Sequence, residues 1–172
     1  MKIISKSSFL RQFSSHGIAL DGRYSPPQTL VFEGTSDWRW SWKTPSRIKV
    51  LPSWITRLVD AARPENKIYL YPRDGAWTSG DSLKLFQMSI IFSAYGLKPT
   101  GDEVIEAEES ERDAVESLFF LALVHGGTVQ DDIFLIPDNA NVILYVDHHE
   151  SINADFKDGE FMNQFLPEIP EC

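Results

Sequence analysis

Cysteine is almost missing from this chain of 172 residues: its one thiol is Cys172, at the last position. An internal disulfide and any zinc centre built on paired cysteines are thereby excluded. Long apolar runs are lacking too, since Ser, Lys or Gln interrupts the longest windows well short of the roughly 20 residues that cross a bilayer. The opening Met1-Lys2-Ile3-Ile4-Ser5-Lys6 turns polar before an apolar signal segment can form, so a cytoplasmic protein without membrane association is expected. Four histidines leave few groups for acid–base chemistry near neutral pH. Gly-x-Ser-x-Gly, Gly-x-Gly-x-x-Gly and Gly-Lys-Ser/Thr are all absent, which removes the hydrolase nucleophile elbow and the common nucleotide cradles. No cofactor is expected.

Positive charge is the scarcest commodity of the second half. Residues 1–98 carry 14 Lys and Arg against 7 Asp and Glu, whereas residues 99–172 carry 2 against 18. Only Arg112 and Lys157 offset the carboxylates there, so a negative field that selects basic partners and repels nucleic acid is expected.

What is present suits a globular fold. The chain is long enough for one core and short for two, so residues 1–172 read as a single domain, with 167–172 a loose tail. Spacing of apolar residues predicts helices over 7–14, from a Ser53 cap to Pro64, over 81–95 with Asp81 as N-cap and Gly96 as C′, from Ser110 to His125, and over 160–166. The 81–95 helix is apolar around nearly its whole circumference, which predicts a central position. His125 is expected to cap the end of its own helix. Strands are predicted over 29–33, 37–43, 67–71, 128–136, 142–147 and 151–156. Short connections between the later strands imply antiparallel neighbours. The expected class is α+β, a mostly antiparallel sheet with helices packed on one side.

Two segments bear on chemistry. The alternation Trp38, Arg39, Trp40, Ser41, Trp42, Lys43 places three indoles on one strand face, expected to be buried against the core, with the cations on the other. Val146-Asp147-His148-His149-Glu150 ends an apolar strand and resembles the Asp-His-His motif of the DHH phosphoesterases. That resemblance implies a divalent metal held by Asp147, His148 and His149 for attack of water on phosphate. The chain departs from that family in lacking an upstream Asp-x-Asp, and only 23 residues follow His149. No metal ligand or catalytic residue is therefore assigned, and the chain is read as a non-enzyme.

The carboxylates are the stronger signal. Asp102, Glu103, Glu106, Glu108, Glu109, Glu111, Asp113 and Glu116 crowd one segment, and Asp131, Asp132, Asp147 and Glu150 follow. Like charges at this density oppose folding unless a partner balances them. In size, charge and composition the chain resembles the immunity proteins of bacterial toxin systems, including contact-dependent growth inhibition. The resemblance implies a stoichiometric inhibitor that binds a basic toxin domain, a nuclease for example. Glu106, Glu108, Glu109, Glu111, Asp131, Asp132, Asp147 and Glu150 are then the expected partner-binding residues. A self-associating adaptor that uses its opposite-charge halves is the other non-enzymatic alternative.

Overall fold

The computed structural model describes every residue except 23–28, 35–37, 44–47, 74, 102, 126–131, 148–150 and 170–172. Its strands are β1 (Lys2–Ile4), β2 (Ile18–Leu20), β3 (Leu30–Phe32), β4 (Arg39–Lys43), β5 (Lys67–Pro72), β6 (Val104–Glu108), β7 (Ile133–Pro137), β8 (Val142–Asp147) and β9 (Ser151–Phe156). Its helices are α1 (Lys6–Phe13), α2 (Leu51–Ala62), α3 (Ser82–Ala94), α4 (Arg112–His125) and α5 (Gly159–Phe165). Seven strands form one antiparallel sheet in the order β1-β6-β5-β7-β8-β9-β4, and β2 pairs β3 in a separate ribbon. The class is α+β, as the sequence predicts. Among the described residues no helix is long and apolar enough to cross a membrane.

Both faces of the sheet are covered. Ile68, Leu70, Ile105, Leu135, Leu144 and Ala154 face a layer built from α2, α3, α4 and α5. Their neighbours Tyr69, Tyr71, Val104, Phe134, Ile136 and Ile143 point the other way, onto Phe9 and Phe13 of α1 and onto Ile18, Leu30 and Phe32 of the ribbon. The helix layer is thus one-sided but for α1. Double coverage explains the unbroken apolar run of β7, all five residues of which are buried. It also explains the aromatic cluster where Phe13 meets Tyr69 edge-on at 5.0 Å and Phe9 stacks on Phe13 at 4.5 Å.

Helix boundaries follow local hydrogen bonding. Asp81 accepts from the backbone N–H groups of Leu83 and Lys84 at 2.8 Å each, and Gly96 takes the left-handed φ of +67° that ends α3. α2 begins earlier than its predicted Ser53 cap, because Pro52 fits the first turn and Ser53 donates back to the Val50 carbonyl at 3.0 Å. α4 is likewise not opened by Ser110. Glu108 caps a single turn, Glu109–Glu111, that runs into α4, and Glu108 and Glu111 each accept the other's orphan backbone N–H. The Asx-rich turn after β7 ties the sheet to the end of α2: Asp138 accepts from the N–H groups of Glu65, Asn66 and Lys67, and Asn139 donates to the Ala62 and Arg63 carbonyls.

Two helices are apolar on most sides, and they differ in place. α4 is the central one: Ala114, Val115, Leu118, Phe119, Leu121, Ala122 and Leu123 are all buried. α3, predicted to be central, lies outside α4; only Lys84, Met88 and Phe92 are buried, while Leu83, Phe86 and Ile90 are exposed. Uniform hydrophobicity cannot distinguish a helix buried all round from one that keeps an apolar face toward solvent.

The tryptophan ladder is a second correction. Its three indoles share the face of Ala154 and Ile152, as alternation requires. β4, however, is the edge strand, so only Trp42 reaches the core, and Trp38 and Trp40 overhang its rim at 39 % and 47 % exposure. Trp38 leans on the start of α5, where a Cβ at Gly159 would lie 2.9 Å from its ring. Gly159→Ala is expected to lower stability by about 1 kcal/mol and to shift the tryptophan fluorescence, because Trp38 must move outward. An unchanged spectrum would show that the indole does not rest there.

Candidate interaction surface

The carboxylates of residues 103–116 do not form one face. Val104–Glu108 is β6, an inner strand that the acidic composition had hidden, so successive side chains alternate between faces. Glu106 is 5 % exposed and is held by Lys67 at 2.6 Å and Lys2 at 3.1 Å. Asp132 is 5 % exposed and pairs with Arg73 at 2.8 Å. Both are therefore internal ion-pair partners and not the presented carboxylates that the sequence suggested. Glu111 accepts from the Glu108 N–H at 2.9 Å and from the Met1 ammonium. Glu108 and Glu109 remain at the surface, Glu109 at 3.2 Å from Arg112. The backbone of Asp147 pairs with Ser151. Asp131, His148, His149 and Glu150 lie outside the described residues.

These pairs share a pattern. Lys2–Glu106, Arg39–Asp155, Arg63–Glu168, Lys67–Glu106 and Arg73–Asp132 each join a cation before Lys98 to a carboxylate after it. The charge separation along the sequence is to this extent a complementarity within the fold.

Burial on its own would push the Glu106 carboxyl up, but the hydrogen bonds from Lys67 and Lys2 outweigh it and hold the group below its ordinary range. Glu103 and Glu111 are likewise depressed despite burial, Glu103 by the Thr100 hydroxyl and the Thr100 and Gly101 N–H groups, Glu111 by the terminal ammonium and the Glu108 N–H. Asp81 is lowered by its cap to Lys84 and by His125, whose Nδ1 lies 2.9 Å away. His125, in the last turn of α4, thus also ties the end of α4 to the start of α3. Each group binds its proton less readily folded than unfolded. The stability they add is complete above the ordinary carboxyl range near pH 4 and is lost as the pH falls through the depressed values. The melting temperature is expected to hold from about pH 7 to pH 5 and to fall steeply below about pH 4; a flat profile down to pH 3 would contradict these four assignments.

A surface missed by reading the sequence forms where α2 crosses α4. Arg112 is its centre: its guanidinium reaches Glu116 at 2.6 Å, Asp60 at 2.7 Å, Glu109 at 3.2 Å and the Thr56 carbonyl at 2.8 Å. Burial opposes its charge, and Glu116 and Asp60 more than restore it. The second oxygen of Glu116 accepts from the Thr56 hydroxyl at 2.6 Å. Beside this cluster lies a groove of about 250 Å³, lined by Pro52, Ile55 and Phe120 below and by Asp113, Glu116 and Ser117 at the rim. Asp113 is exposed and has no ion-pair partner among the described residues. An apolar floor beside an exposed carboxylate is complementary to a lysine or arginine, whose stem would lie on Pro52 and Phe120 while its head met Asp113. Asp113 and Glu116 were legible in the helix predicted from Ser110; Asp60, supplied by α2, was not.

No protein-family model, curated protein or solved structure matches this chain.

Proposed function

We propose that this chain is a stoichiometric binding protein of the immunity type, which neutralises a basic toxin domain by offering it the α2–α4 surface. The observation that carries this reading is the groove itself, apolar within and bordered by the exposed Asp113, beside Glu109 and Asp60. Glu108 and Glu109 stay in the proposed contact, whereas Glu106 and Asp132 act by holding the sheet together. The net charge of −9 steers a basic partner toward the protein, and the groove then anchors one of its cationic side chains.

Co-expression with the product of the adjacent upstream gene tests the reading: growth is expected to be restored in a one-to-one complex. Within that complex, Asp113→Lys with Glu109→Lys is expected to slow association about tenfold and to weaken its dependence on salt. A partner that stays toxic with this protein in excess, or that is not toxic at all, would end the immunity reading.

A further inference from the structure

Helix α3 carries an apolar line that no part of the described chain covers. Leu83, Phe86 and Ile90 are 55 %, 63 % and 56 % exposed. Spaced by three and then four residues, they fall along one line of the helix, which exposed Ala94 continues. Exposed Ser82, Ser89 and Ser93 border it. The face holds no ionisable group, because Lys84, the only charged residue of α3, is fully buried on the opposite side with Met88.

We propose that this face is a homodimer interface, in which α3 packs antiparallel on α3 of a second copy about a two-fold axis near Phe86 and Gln87. The three-four spacing is that of a helix-pair seam. The line is also self-complementary: Leu83 and Ile90 stand equally far from the axis, so each meets the other's counterpart while Phe86 meets Phe86, as an isologous contact requires. Neutrality points the same way. A basic partner gains nothing from an uncharged helix, whereas two chains of net charge −9 can meet there without carboxylates facing each other. Full covering of these side chains and their serine border would bury on the order of 1,000 Å² for the pair, at the lower edge of specific interfaces. An interface of this size is expected to be weak, with a dissociation constant in the micromolar range. The face is separate from the α2–α4 groove, and the inference does not rest on the immunity reading.

Sedimentation equilibrium of the full chain between about 1 and 200 μM, a span around the expected constant, tests it. The mass is expected to rise from monomer to dimer. Phe86→Glu is expected to raise the dissociation constant at least 30-fold, with the circular dichroism spectrum and melting of the monomer unchanged because the ring is largely in solvent. Ile90→Ser, a milder change on the same line, is expected to raise it about tenfold and serves if the glutamate variant does not fold. A chain that stays monomeric at the highest concentration, or a dimer that neither substitution weakens, would overturn the proposal.

Discussion

Trp42→Ala is expected to lower the free energy of unfolding by about 3 kcal/mol, while Trp40→Ala, two residues away on the same strand face, costs under about 1 kcal/mol. The Trp42 ring meets Trp54 of α2 edge-on at 6.3 Å and Phe165 of α5 at 6.2 Å. It therefore fastens the edge strand to two helices at once. Its removal takes away a large apolar contact and leaves a cavity at the layer's margin, where collapse is only partial. Trp40 is nearly half exposed, and the water it meets after truncation is mostly water it already meets. Equilibrium unfolding in urea distinguishes the two; equal losses for both variants would mean that the ladder is uniformly packed and that β4 does not lie at the rim.

Arg112→Ala is expected to cost about 2 to 4 kcal/mol, within the range for removing one member of a partly buried ionic cluster. Asp60, Glu109 and Glu116 would then face one another without a cation, and the Thr56 carbonyl would lose its donor. The side chain of Asp60 is 58 % exposed and can turn to solvent, which sets the lower figure. Glu116 is 15 % exposed and cannot do so fully. Raising the salt concentration is expected to recover part of the loss by screening the carboxylates. If Arg112→Ala melted with the parent, α2 and α4 would be held by apolar packing alone.

The elements were legible wherever a period or a cap was local. Asp81 and Gly96 bracket α3, Ser151–Phe156 forms β9 where its alternation puts it, and Asp138 and Asn139 lie in the turn that their side chains favour. β6 was hidden because its acidic residues are stabilised by lysines far away in sequence, and no local signal announces that Glu106 will find Lys67 and Lys2. Composition likewise could not tell α3 from α4, since both are rich in apolar residues and only the order of layers decides which is enclosed. The same limit applies to the surface around Arg112. The carboxylates of α4 were readable as a cluster, but the groove needs Pro52, Ile55 and Asp60, and the crossing of α2 over α4 is a property of the assembled fold.

The strand order also governs when the chain can fold. The two outermost strands, β1 and β4, come early in the sequence, and their partners come late: Lys2 aligns with Glu106, and Arg39 with Asp155. On the ribosome, β1 must wait for β6, and β4 with its overhanging indoles must wait for β9, so the sheet completes only once Ser151–Phe156 has been made. Such distant pairings are expected to slow folding relative to locally paired topologies. Until then the tryptophans of β4 remain an unpaired apolar edge. A nascent chain arrested before residue 151 would accordingly be the species most prone to aggregate.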